Sequence, residues 1–360
     1  MKKEWLEKVL NAHKNLMIEG DVATGKTTNI LFPIVENAID KKESLFILDP
    51  REEYLNRYYD KLKANNYNII IINLRDVDKS EGWNPLEYPY NLFKNGNEDK
   101  AQDYLEKIGK TIFYENTNSD PFWSTTAADF FTGVTLGLFE DGKEDEVNLN
   151  SVNGMFNGVD KRFGATDYIT EYFTAKGVTS KPYIFASTTF LAPVDTKGSI
   201  LSVARQKLRL LVSREKLSQL MSKTTFSFEE VVNKPTAIIF IARDENKTFN
   251  NLASMFIEQL YAILVDLKTK NKFHLVLDNF DIIEKCNDLV DILSSCISRN
   301  IRTYISTRSV SELSKIYGSY MLKLCDLVSI GNTNIKVVIN NVEETTEKEF
   351  ETIAFTESNV

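Results

Sequence analysis

The run Leu16-Met17-Ile18-Glu19-Gly20-Asp21-Val22-Ala23-Thr24-Gly25-Lys26-Thr27-Thr28 decides how the chain folds. From Gly20 to Thr27 it fits G-x-x-x-x-G-K-[ST], a phosphate-binding loop, and it lies where such a loop has to lie, after the apolar strand 16–19 and before a helix that begins near Thr27. The glycines let successive backbone N–H groups face a phosphate chain, so Gly20 to Thr28 form the expected nucleotide cradle. Lys26 supplies a point charge to the β and γ phosphates of ATP, and the Thr27 hydroxyl is a ligand for Mg²⁺. As a loop lysine, Lys26 is expected to be exposed and to support no core.

Working outward, short runs rich in Ile, Val, Leu and Phe recur at 16–19, 45–48, 69–74, 237–242, 274–277, 303–306 and 327–330. Without alternation, they read as strands buried on both faces, as in a parallel sheet covered by helices. The fold class is therefore α/β with a mainly parallel central sheet. About 160 residues separate the third run from the fourth, and much of that interval reads helical, at 100–113, 126–139 and 199–220. The expected organisation is a discontinuous nucleotide-binding domain, 1–85 and 227–360, with an inserted helical domain at 86–226. The charged stretch 140–146 suggests exposed loops, and the acidic last twenty residues read as a solvated tail.

Composition removes several function classes. The net charge is −8, so the surface as a whole is no basic nucleic-acid footprint and any DNA contact has to be local. No apolar run approaches the roughly 20 residues needed to span a bilayer, which points to a cytoplasmic chain. Cys286, Cys296 and Cys325 are odd in number and widely spaced, with His13 and His274 as the sole histidines. That excludes a disulfide framework or zinc knuckle and leaves buried or incidental thiols.

A nucleotide site of this kind needs a second oxygen for the metal, placed at the end of another buried strand. Asp278, after His274-Leu275-Val276-Leu277, supplies it, since a carboxylate following such a run needs a cation or N–H partners. Asp49 ends the run 45–48 and reads equally as a residue of that edge or as a helix cap before Pro50.

With those residues in place, the chain resembles the coupling proteins of type IV secretion and conjugation, DNA-pumping ATPases of the RecA-like P-loop class. Besides the loop, the resemblance rests on Asp49-Pro50-Arg51-Glu52-Glu53, Trp83-Asn84-Pro85-Leu86, Asp120-Pro121-Phe122-Trp123 and Gly198-Ser199-Ile200 before a helix. It continues through Leu277-Asp278-Asn279-Phe280, Ser298-Arg299, and Arg308-Ser309-Val310-Ser311-Glu312-Leu313 leading to Tyr317-Gly318. Trp83, Trp123, Phe280 and Tyr317 also read as packing residues.

The resemblance implies a hexameric ring moving single-stranded DNA with its relaxase or relaxosome and the type IV secretion channel components, at the inner face of the cell membrane. A monomer is the alternative where no membrane domain assists; members commonly carry transmembrane helices ahead of the loop, and nineteen residues precede Gly20 here. It implies catalytic roles for Lys26, Asp278, Asn279, Arg299 and Arg308, and metal binding by Thr27 and Asp278. Arg299 matches an arginine finger reaching the neighbouring subunit's γ phosphate, although it also reads as a surface arginine. The helical interval would meet DNA or the relaxase complex. Its cluster Arg205, Lys207 and Arg209 suits either phosphate contact or a solvated helix face.

Two departures bear on activity. Asn279 stands where the family has its catalytic Glu and cannot take a proton from water; Asp281 or Glu284 would have to replace it. Arg308 stands where the family has a glutamine that senses the γ phosphate, a fixed cation that either neutralises developing charge or locks one nucleotide state. The expectation is an ATPase of the DNA-translocase type with a degenerate position at Asn279. The rival is a catalytically weak, nucleotide-gated adaptor that docks cargo or a partner ATPase.

Overall fold

The computed structural model describes residues 4–113, 120–158, 162–163, 166–245, 247–283, 285–331, 334–339 and 342–347. They form two compact units, the first of Met1–Ile47, Lys272–Asp281 and Val290–Val360, the second of Leu48–Asn271 and Ile282–Leu289. The boundaries expected at 86 and 226 both fall inside the second unit. Glu284 and residues 341 and 348–360 of the acidic tail lie outside the described residues, whereas Val342–Glu347, expected as part of a solvated tail, is a strand paired with Asn334–Ile339.

In the first unit the strand Asn15–Gly20 lies between Ile301–Thr307 and Cys325–Ile330, parallel to both. Phe273–Leu277 follows on the far side of Ile301–Thr307, again parallel, and Ser44–Leu48 is next to it. Every residue of Phe273–Leu277 and of Ile301–Thr307 is buried, which is why these strands read as unbroken apolar runs. Beyond Cys325–Ile330 the sheet continues as an antiparallel hairpin, Asn334–Ile339 and Val342–Glu347. Parallel register sets Glu19 opposite Thr307 and Gly20 opposite Ile330, so the loop after Gly20 emerges where three strands end together.

In the second unit Asn68–Asn73 pairs in parallel with Thr236–Ile241. The rest is mainly helical, including Glu98–Phe113, Phe122–Asp141, Lys181–Phe190, Val194–Val212 and Asn251–Asp266. The helix expected from Ser199 begins at Val194, directly after Pro193, so Gly198 lies inside it. Phe122–Asp141 is buried on most of its circumference. A Cβ on its Gly133 would stand 2.8 Å from the Ala186 nitrogen and the Pro182 oxygen, so glycine is what lets it seat against Lys181–Phe190.

Trp83 is a core residue, its indole N–H donating to Gln259 Oε1 at 2.7 Å; Phe280 is buried too, whereas Trp123 is half-buried against Phe122. Cys286 and Cys296 are buried, Cys325 is half-buried, and none of the three is in a disulfide. Residues 143–146 are exposed as expected, while Glu140 and Asp141 are bridged by Lys176. Arg205 donates twice to the Phe156 carbonyl, clasping two helices, and Arg209 is exposed.

Glu258, on Asn251–Asp266, is a buried carboxyl accepting the Thr111 hydroxyl at 2.8 Å and the Asn287 N–H at 2.5 Å. Burial pushes it up to about 7 from its ordinary 4.5, against the lowering effect of the Thr111 bond. A raised folded value means stability that is fully present below the unfolded value and lost as pH rises through the folded one. This group should therefore cost on the order of 2–3 kcal/mol between pH 4.5 and pH 7.5. Urea midpoints at both pH values should show that dependence reduced in Glu258→Gln; equal slopes in the two proteins would contradict it.

Candidate nucleotide site

The candidate site lies in the first unit, at the C-terminal ends of its parallel strands, the edge at which open α/β sheets bind ligands. The phosphate loop leaves Asn15–Gly20 and enters a π turn, Thr27–Leu31, before the α-helix Phe32–Asp40. Pro33 has no N–H to continue a regular α ladder, and the Phe32 N–H reaches back to the Thr27 carbonyl instead. Ala23 and Gly25 have φ of 61° and 90°, and a Cβ at Gly25 would meet Asn29 Nδ2 at 2.2 Å. A left-handed residue followed by right-handed Lys26 is the alternation that turns neighbouring N–H groups to one side.

Lys26 corrects the sequence-based expectation. Its side chain is buried, and its ammonium donates to the carbonyls of Gly20 at 2.5 Å and Asp21 at 3.0 Å. Burial lowers the affinity of this amine for its proton, with Arg308 acting in the same direction and the carboxylates of Asp278, Asp281 and Asp21 opposing.

The Thr27 hydroxyl donates to Asp278 Oδ2 at 2.8 Å, so the two proposed metal ligands are already in contact. Asp278 is 3% exposed, and its other oxygen accepts the Ser306 hydroxyl at 2.5 Å and the Asn279 N–H at 2.9 Å. Asn279 follows with φ of 49°, a left-handed conformation that asparagine tolerates better than most residues, and its N–H also reaches Ser306 Oγ at 2.8 Å. Asp281 comes to the site, but its Oδ1 accepts the Thr307 hydroxyl at 2.6 Å and its Oδ2 the Arg308 N–H at 2.8 Å. A base role would cost it those bonds. Glu19 bridges the strand ends, accepting the Val310 N–H at 2.9 Å and the Ser329 hydroxyl at 3.3 Å.

Ser306, Thr307 and Glu19 were not singled out from sequence, because their partners lie between 26 and 310 residues away. The structure thus gathers Gly20–Thr28, Asp278, Asn279 and Arg308 at one edge. Arg299 is elsewhere: exposed, hydrogen-bonded to the Ser295 carbonyl, it precedes the opposite end of the seven-residue strand Ile301–Thr307. At about 3.3 Å per residue that is on the order of 20 Å away. Asp49, in the second unit, is a cap: its buried carboxylate accepts the N–H groups of Glu53, Tyr54 and Leu55, each at 3.0 Å, at the start of Glu53–Ala64.

Over residues 13–352 the sequence matches the family described as type IV secretory system conjugative DNA transfer. The chain belongs to that family. The bacterial conjugative coupling protein TrwBdeltaN70, in its unbound monoclinic form, is similar with a TM-score of 0.64 at 15% identity over 94% of this chain and 78% of that one. TrwB in complex with ADP and Mg²⁺ gives 0.63 at 15% identity, with 93% and 78% covered. VirB4 of Thermoanaerobacter pseudethanolicus gives 0.58 at 11% identity, with 94% and 90% covered. No curated protein matches the sequence. The family member has the α/β, RecA-like fold with a mostly parallel sheet that these structures share. No helix among the described residues is long and apolar enough to cross a membrane.

Proposed function

We propose that this protein is the ATP-binding coupling protein of a conjugative element or type IV secretion system, an ATPase that drives transfer of single-stranded DNA with its relaxase. The observation that carries the site assignment is the 2.8 Å contact between Thr27 and Asp278, which joins the phosphate loop to the strand-end carboxylate. The pair offers oxygen donors alone, the chemistry Mg²⁺ takes, and its neighbours Ser306 and Asn279 fix the carboxylate that would hold the ion. Mg²⁺, when bound, neutralises charge on the phosphate oxygens. Gly20 to Thr28 wrap the phosphates with backbone N–H groups, and Lys26 turns its ammonium from the Gly20 and Asp21 carbonyls toward them.

The same reading makes the helical interval 86–226 an inserted domain meeting DNA or the relaxase complex, and the working assembly a hexameric ring docked on the secretion channel. Arg299 would then serve the neighbouring subunit's site, a role for which its distance from its own loop is the support.

Titration with a fluorescent ATP analogue and Mg²⁺ tests the site. Lys26→Ala should weaken binding at least about tenfold, the scale of a lost charge-assisted contact, with a thermal melt showing that the chain still folds. Equal affinity in both proteins would remove the loop from the nucleotide site.

A further inference from the structure

The second unit has a C-terminal strand edge of its own, and three arginines gather there. Where the parallel neighbours Asn68–Asn73 and Thr236–Ile241 end, Arg75 and Arg243 meet, the Arg243 Nη2 donating to the Arg75 carbonyl at 3.1 Å. The Asp49 N–H bonds the Phe240 carbonyl at 2.8 Å, which brings Pro50 and Arg51 to the same edge. Two carboxylates of the chain itself pair with these cations. Arg75 grips Glu245 through both Nη groups, at 2.9 and 2.8 Å, and Arg51 Nε donates to Asp244 Oδ2 at 2.9 Å. The match is imperfect. Arg75 Nη2 has two hydrogens for three acceptors, Glu245 Oε2, the Pro50 carbonyl at 2.9 Å and Asp244 Oδ1 at 3.3 Å. Meanwhile the Nε atoms of Arg75 and Arg243 are buried with no hydrogen-bond partner among the described residues. Asn250 bonds both the N–H and the carbonyl of Arg243, fixing the backbone there, whereas the Glu245 side chain is 53% exposed.

We infer that Arg75, with Arg51 and Arg243 beside it, is a binding site for a phosphodiester of single-stranded DNA, and that Glu245 occupies it as a displaceable stand-in for that phosphate. The inference rests on the proposed DNA-transfer function, and it places a DNA contact outside the helical interval 86–226. A carboxylate held by both Nη groups presents two oxygens to the arginine fork, as the non-bridging oxygens of a phosphodiester do. An exposed ion pair contributes little stability, so moving Glu245 aside costs little. Three cations against two carboxylates leave the edge locally positive, the condition for DNA contact on a chain of net charge −8. A nucleotide fits less well: the segments 50–53, 73–76 and 241–245 contain no glycine to turn successive N–H groups toward a phosphate chain.

Fluorescence anisotropy of a labelled oligothymidylate, titrated with the full chain at low salt, tests this. Arg75→Gln should weaken binding about tenfold or more and reduce the salt slope by about one, while leaving the affinity for an ATP analogue with Mg²⁺ within about twofold. Glu245→Gln should tighten binding about threefold or more, beyond the effect of Glu144→Gln, which makes the same charge change at an exposed position elsewhere. In the double variant the gain from Glu245→Gln should vanish, since it acts through Arg75. If the wild type binds the oligonucleotide and neither single variant alters its affinity, the inference fails and the DNA-transfer reading stands. A gain no larger than that of Glu144→Gln, or one that persists without Arg75, would also overturn it by making Glu245 a matter of bulk charge. Weaker binding of the ATP analogue in Arg75→Gln, with the oligonucleotide unaffected, would assign the arginines to a nucleotide instead. A wild-type chain that binds no oligonucleotide would remove the reading and the inference together. Should Arg75→Gln not fold, Glu245→Gln against Glu144→Gln decides the matter alone.

Discussion

Asn279→Glu should raise ATP hydrolysis by about 10² or more, the contribution of a positioned general base. The substitution puts a carboxylate beside Asp278, where the Thr27 contact and the Ser306 bond already define the geometry. Both hydrogen bonds made by residue 279 come from its backbone N–H, so they survive the change. The cost is local: a φ of 49° suits asparagine, and glutamate there gives up about 1 kcal/mol of stability. A second negative charge near the ion is offset by Mg²⁺ and by the neighbouring Arg308. A rise of less than about tenfold, or roughly 1.4 kcal/mol in barrier, would mean that no water is held in line. That outcome favours a nucleotide-gated adaptor over a pump, and steady-state phosphate release at saturating ATP and single-stranded DNA distinguishes them.

Arg299→Ala should lower turnover by about 10³ or more while leaving nucleotide binding unchanged, because a finger supplied by a neighbour acts on the transition state and not on the resting complex. The residue is exposed and lies at the end of Ile301–Thr307 remote from its own phosphate loop, so any catalytic contact has to be made in another subunit. Wild-type turnover should accordingly rise faster than linearly with protein concentration. Specific activity that stays flat on dilution, with a fully active Arg299→Ala, would make it a surface arginine.

What the sequence revealed and what it hid divide along physical lines. Strands such as Phe273–Leu277 and Ile301–Thr307 were legible because both faces are buried, leaving nothing polar to interrupt the run. The hairpin Asn334–Ile339 and Val342–Glu347 was not, since Asn, Lys and Glu are interspersed where the sheet meets solvent. The loop and Asp278 announce themselves through strict local patterns, and the Thr27 contact joins them across 251 residues. Ser306, Thr307 and Glu19 carry no such pattern, because a strand-end hydroxyl or carboxylate becomes part of a site only through register. Lys26 was misjudged for the opposite reason: a loop position was read as exposure, whereas the chain folds its amine back onto the Gly20 and Asp21 carbonyls.

The most direct measurement is phosphate release by the purified chain with Mg²⁺ and ATP, in the presence and absence of single-stranded DNA, set beside Lys26→Ala. A coupling ATPase built on the Thr27 and Asp278 contact should release phosphate in a Lys26-dependent manner and faster when DNA is present. A rate that is the same in Lys26→Ala and indifferent to DNA would contradict it.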